Sequence, residues 1–144
     1  MTFFGLQIDG LDQAQAQIDA MRGSIDTASG ETMLKLAQRV REVAIEEIAS
    51  HSRSAPGTPP ASRTGLLAES IVARLVDKTA SEVLATAEYA KHLEFGTRKM
   101  AAHAFLHLAI AIVAPEFAVA EQVALYLALD KLKGYAPDAA SAVL

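Results

Sequence analysis

Between Tyr89 and Ile110 two apolar segments of helical spacing meet across one glycine, and any fold of this chain has to accommodate the bend there. Tyr89, Leu93 and Phe95 fall on one side of a short amphipathic helix, and Gly96 is its stop, because glycine takes the left-handed conformation at little steric cost. Thr97, Arg98 and Lys99 then form a polar, basic turn. From Met100 the apolar pattern resumes, and Phe105, Leu106, Ala109, Ile110 and Val113 start a second helix with a wide apolar face. Phe95 and Phe105 bracket the glycine and are the natural pair to hold this joint closed.

Upstream, Phe4, Leu6 and Ile8 alternate with small or polar residues, the period of a half-buried strand, and Asp9, Gly10 and Asp12 mark the turn out of it. Leu11 to Met21 reads as a short helix broken at Gly23. A longer one spans about Gly30 to His51, with Leu34, Ala37, Val40, Ala44, Ile45 and Ile48 on its apolar face and Glu31 in its first turn. His51 to Arg63 contains three prolines and little to bury, so 52–63 is expected to be a flexible, cationic loop carrying Arg53 and Arg63. Ser70 to Asp77 and Val83 to Ala87 alternate, with a turn over Lys78 to Ser81, and predict an antiparallel hairpin. Pro115 is expected to kink or restart the C-terminal helix, which continues through Phe117, Ala120, Val123, Ala124, Leu127 and Leu132 to Gly134. The expected organisation is one domain over 1–134 and a tail over 135–144.

The expected fold is therefore α+β: a small, mainly antiparallel sheet of three to four strands, a long helix in the N-terminal half and a kinked C-terminal helix. A chain of 144 residues suffices for one such core. Cysteine is absent, which removes disulfides, thiolate metal sites and cysteine nucleophiles together. The net charge of −4 argues against a dedicated nucleic-acid binder. The opening residues lack the basic and apolar regions of a signal peptide, so the mature protein is expected to begin near Met1. The longest unbroken apolar run, Leu108 to Pro115, is shorter than the roughly 20 residues that span a bilayer, so no membrane contact is expected. Apolar residues nevertheless make up 51%, a surplus that points to surface reserved for neighbouring subunits.

His103 and His107 are four apart, a spacing that can place two imidazoles on one metal, and His92 lies near in sequence. The residues between are Ala-Phe-Leu, without the glutamate of a zinc protease, and the favoured reading is polar-face or interface histidines with no metal and no cofactor. A metal-dependent hydrolase or ligand-binding module built on His92, His103 and His107 is the alternative. Gly96 to Lys99 has the exposed N–H groups and cations of an anion cradle but lacks the strand, the second glycine and the Lys-Ser/Thr ending of a phosphate loop. No Gly-x-Ser-x-Gly is present, and the expectation is a protein without catalytic activity or a small-molecule substrate. Arg53, Arg63, Arg98 and Lys99 offer at most a local contact with DNA, which salt would weaken steeply.

Glu94-Phe95-Gly96-Thr97 followed by Met100, Ala102, Phe105, Leu106 and Ala109 resembles the signature of a tail-component family of long-tailed bacteriophages, small proteins of the head-to-tail junction. Pro60 to Leu66 continuing to Ser70-Ile71 is similar to that family's Pro, Thr-Gly-x-Leu, Ser-Ile segment, and Ile8 to Asp12 to its opening. The resemblance covers roughly residues 5 to 112. Ala104 and Leu108 stand where the family usually has prolines, which implies a less rigidly set helix start. The resemblance implies a neck or tail-completion protein of the virion, assembled in the host cytoplasm as a ring of its own copies. Its implied partners are the connector or stopper and tail-tube proteins. The implied contact residues are Arg53, Arg63, Thr64, Gly65, Leu66, Glu94, Phe95, Gly96, Thr97, Arg98, Lys99 and Phe105.

Overall fold

A computed structural model describes residues 10–133 apart from 52, 54, 62 and 63. The elements are α1 (Leu11–Ser50), α2 (Leu66–Ser70), β1 (Ile71–Asp77), β2 (Ala80–Ala85), α3 (Ala90–Phe95) and α4 (Leu106–Lys133). The class is α+β, as expected, with two strands rather than three to four among the described residues. The expected strand over Phe4 to Ile8 and the tail over 135–144 lie outside them.

The largest departure is α1, one continuous helix of 40 residues where two were expected. Gly23 does not break it, since a helical glycine costs only about 1 kcal/mol relative to alanine. The polar stretch also bonds back to its own helix: the Thr27 hydroxyl donates to the Gly23 carbonyl at 2.8 Å and that of Thr32 to Ala28 at 2.8 Å. Glu31 accordingly lies mid-helix, away from any helix end. Gly30 is buried, and a Cβ built there would sit 2.2 Å from the Lys78 carbonyl oxygen, so the helix touches the hairpin turn where only glycine fits.

β1 and β2 pair antiparallel, with Ile71 opposite Ala85 and Ala73 opposite Val83 on the face toward α1. Val72 and Arg74 point the other way, and the Arg74 guanidinium meets Glu82 across the pair. The register slips at Val76, an extra residue between the Leu75–Ser81 and Asp77–Ala80 pairs, before a turn at Lys78 and Thr79 shorter than expected. Two cross-links fix the hairpin on α1: Arg41 Nε donates to the Ile71 carbonyl at 2.7 Å and Ser81 Oγ to the Met33 carbonyl at 2.7 Å. The single turn of α2, which the alternation beginning at Ser70 does not foresee, seats Leu67 in the core.

The core lies where the C-terminal half of α1 meets the hairpin and the start of α4. Phe105, Ile48, Ile71, Val40 and Val113 are its largest fully buried side chains. Leu36 and Val43 join the expected apolar face of α1, while Leu34 and Ile45 are only half-buried. α4 returns antiparallel along α1, Ser29 Oγ reaching Glu121 at 3.3 Å, and runs through Pro115 without restarting. Its start, expected after Ala101, is delayed to Leu106. Taken whole, α4 is long and apolar enough by length and composition to cross a membrane, which its longest unbroken run understates. Little of it is buried, however, and Val119, Val123 and Tyr126 are more than half exposed.

Candidate functional site

The segment from α3 to α4 is a closed hinge built on one carboxylate. α4 begins without a Ser, Thr, Asp or Asn at its N-cap position, so its first N–H groups have no local acceptor. Glu94, one residue before the end of α3 and only 7% exposed, supplies one from a distance. Its Oε2 accepts from the Phe105 and Leu106 N–H groups at 2.9 and 3.0 Å, and its Oε1 from the His107 N–H at 2.8 Å. The His107 ring completes the set, Nδ1–H donating to Oε1 at 2.6 Å.

Charge and dipole agree in this geometry, because the positive end of α4 faces a carboxylate. Burial of the Glu94 carboxyl works to raise its pKa. The hydrogen bonds from the Phe105 and His107 N–H groups, the His107 ring and the Leu106 N–H outweigh that effect and hold it below the usual glutamate value.

Gly96 makes the approach possible. Its φ of 72° and ψ of −179° are accessible essentially to glycine alone, and a Cβ there would meet the Ala102 nitrogen and the Met100 oxygen, each at 2.8 Å. Thr97 and Met100 exchange backbone hydrogen bonds of 2.8 and 3.2 Å around the tip, and the His103 N–H returns to the Leu93 carbonyl at 2.7 Å. The His103 ring, nearly buried, donates from Nδ1 to the Thr58 carbonyl at 2.9 Å and so ties the central loop to the hinge.

Pro59 and Pro60 are buried beside that contact, and Thr58 closes a turn on Ala55, which corrects the expectation of a loop with little to bury. A succession of prolines lacks N–H groups that burial would leave unpaired, so it is less polar than its loop-like composition implies.

The expected contact residues divide into two sets. Glu94, Phe105 and the half-buried Gly96 are interior and hold the joint. Arg53, Thr64, Leu66, Phe95, Thr97, Arg98 and Lys99 are exposed, Gly65 is half-buried with φ 76° before α2, and Arg63 lies outside the described residues. Phe105 fills the joint as expected, whereas Phe95 is 66% exposed and packs T-shaped against the His107 ring, at 5.8 Å between centroids. Tyr89 and Tyr126 are also exposed.

His103 and His107 turn to different acceptors, His92 is exposed, and no group of three or more metal-ligating side chains occurs among the described residues. The capping role of Glu94 is invisible in the sequence because its partners are backbone groups. The one available signal is negative, a helix start at Ala102 to Phe105 with no capping residue of its own.

These features define a small α+β module in which the most buried ionisable side chain among the described residues is committed to holding two helices together. The chain belongs to the family described as "Bacteriophage HK97-gp10, putative tail-component", whose profile matches residues 12–96, from the first turn of α1 to Gly96. It is thus a member of a virion-associated family of phage tail components. No curated protein and no solved structure matches the chain.

Proposed function

We propose that the protein is a structural part of the phage head-to-tail junction, a neck or tail-completion component that forms a ring of its own copies. In this reading it joins connector or stopper proteins to the tail tube, after assembly in the host cytoplasm, and turns over no substrate. The observation that carries the reading is the division of the signature residues. Glu94, Gly96 and Phe105 fix the backbone, and what they present outward is a tip bearing Phe95, Thr97, Arg98 and Lys99. A rigid loop holding an apolar ring beside two cations suits recognition of an acidic, partly apolar neighbour, with contact to channel DNA incidental. In this reading Arg53, Arg63, Thr64, Gly65 and Leu66 are further contact residues.

The test is an Arg98→Glu, Lys99→Glu double variant in the genome that encodes the chain. The purified variant should melt within a degree or two of the parent. Electron microscopy of the lysate should show heads and tails accumulating unjoined. Normal numbers of joined particles carrying the variant would refute the junction role of the tip.

A further inference from the structure

α4 has two apolar faces, and α1 covers only one. Ala109, Val113, Ala124 and Ala128 are buried on the covered side. On the other, Leu108, Ile112, Val119, Tyr126 and Leu129 recur in alternating steps of four and three, with Pro115 and Gln122 completing the series, which is the seam of a helix that packs against another helix. Ile112, Val119, Tyr126 and Leu129 are 44%, 61%, 64% and 39% exposed, and Val123 beside them 51%. No charged residue lies on this seam from Leu108 to Leu129; Glu116 is on its flank, and Glu121 is turned toward Ser29 of α1. A helix that is apolar all round is normally buried all round.

Two quantities select the occupant. The seam is about 30 Å long at 1.5 Å per residue. Its exposed apolar side chains amount to on the order of 600 Å² per copy, near the ~800 Å² per partner that a standard interface buries and at the upper limit of the apolar patches found on monomers. A surface that long and uncharged needs a partner of the same kind. The outward side of α1 does not qualify, since Lys35, Gln38, Arg39, Glu42 and Glu46 interrupt it every turn. The α4 seam itself does.

We infer that the seam of α4 packs against the same seam of a second copy, antiparallel, about a two-fold axis near Val119. This register sets Ile112 of one copy against Tyr126 of the other, and a contact of this symmetry closes at two subunits. It leaves the Phe95 to Lys99 tip uncovered, so it neither needs nor prevents the junction contact proposed above, and the two stand or fall separately.

The absence of cysteine in the chain makes the test clean. Mild oxidation of full-length Val119→Cys should give a disulfide-linked dimer well ahead of Gln38→Cys, a control on the exposed side of α1. An equimolar mixture of Ile112→Cys and Tyr126→Cys should cross-link faster than either alone. In sedimentation at about 100 µM the parent should be dimeric, and Val119→Glu should weaken the pair at least tenfold with an unchanged circular dichroism spectrum. If Val119→Glu fails to fold, the cysteine rates decide alone. The inference is overturned by a parent that stays monomeric at that concentration with Val119→Cys no faster than Gln38→Cys. It is equally overturned by a parent that floats as a monomer with phosphatidylcholine vesicles, or by a dimer that Arg98→Glu, Lys99→Glu abolishes and Val119→Glu does not.

Discussion

The Glu94 carboxylate accepts three backbone N–H groups and one imidazole, and its removal leaves the Phe105 N–H unpaired in the interior and the Leu106 and His107 N–H groups without their acceptor, while the exposed His107 ring can turn to water. Glu94→Ala is therefore expected to destabilise the fold by about 2–4 kcal/mol, beyond an ordinary cap because charged acceptors contribute more. Glu94→Gln should recover only part of this, since its NH2 group turns a donor toward donors. Thermal melts of the three proteins at pH 7 check the order. The pH dependence follows from the lowered pKa. The carboxylate's stabilisation is present in full above the unfolded value of 4.5 and is lost as pH falls through the lower folded value. The stability gap between the parent and Glu94→Gln should then narrow below pH 4.5; a gap that widens on acidification would contradict the assignment. Gly96→Ala, forced into φ 72° against the Met100 and Ala102 backbone, should cost about 2–3 kcal/mol.

At the scale of elements, two glycines of one helix predict opposite signs. Gly23 faces open space, with nothing within 4 Å of where an added methyl group would sit, so Gly23→Ala should stabilise by about 0.5–1 kcal/mol through helix propensity and unfolded-chain entropy. Gly30→Ala drives the same methyl into the Lys78 carbonyl and should destabilise; urea unfolding of both variants reads the two signs. These residues also mark where sequence reading reaches its limit. The hairpin is legible because a period of two recurs on both sides of a turn, and it sets Ile71, buried, and Ala73, Val83 and Ala85, half-buried, on one face. The stop at Gly96 is legible because an amphipathic helix runs straight into a glycine and a charged turn. Gly23 and the polar stretch after it look like a break in the sequence and are none in the fold, because their local cost is small and the packing of α4 and the hairpin against α1 decides the matter. The Glu94 cap and the His103 tie to Thr58 end on backbone atoms, which carry no residue-specific signal.

Over the whole molecule, order in the packing is graded along the α1 and α4 pair. At one end Val40, Val43, Ala44 and Ile48 interlock with Phe105, Ala109 and Val113, and the hairpin, α2 and α3 close around them. At the other, from Leu11 to Ile25 and from Phe117 to Lys133, only Ala124 and Ala128 are buried, and a cleft of about 480 Å³ lies between Ala20, Thr27 and Glu31 on one helix and Leu127 and Lys131 on the other. Alanine contacts contribute little burial energy, so the two helices hold each other weakly there, and Leu11, Ile18 and Met21 add partly exposed apolar surface. Hydrogen exchange at low protein concentration should therefore protect residues 36–48 and 106–113 nearly to the global unfolding limit, while 11–25 and 117–133 exchange through local opening at least tenfold faster. Raising the concentration into the range where copies associate should slow exchange over 112–129 and leave 36–48 unchanged, because association adds a partner to α4 without touching the core. Uniform protection along both helices at every concentration would mean that the distal pair is stable by itself, and would remove the physical reason for this protein to seek a neighbour.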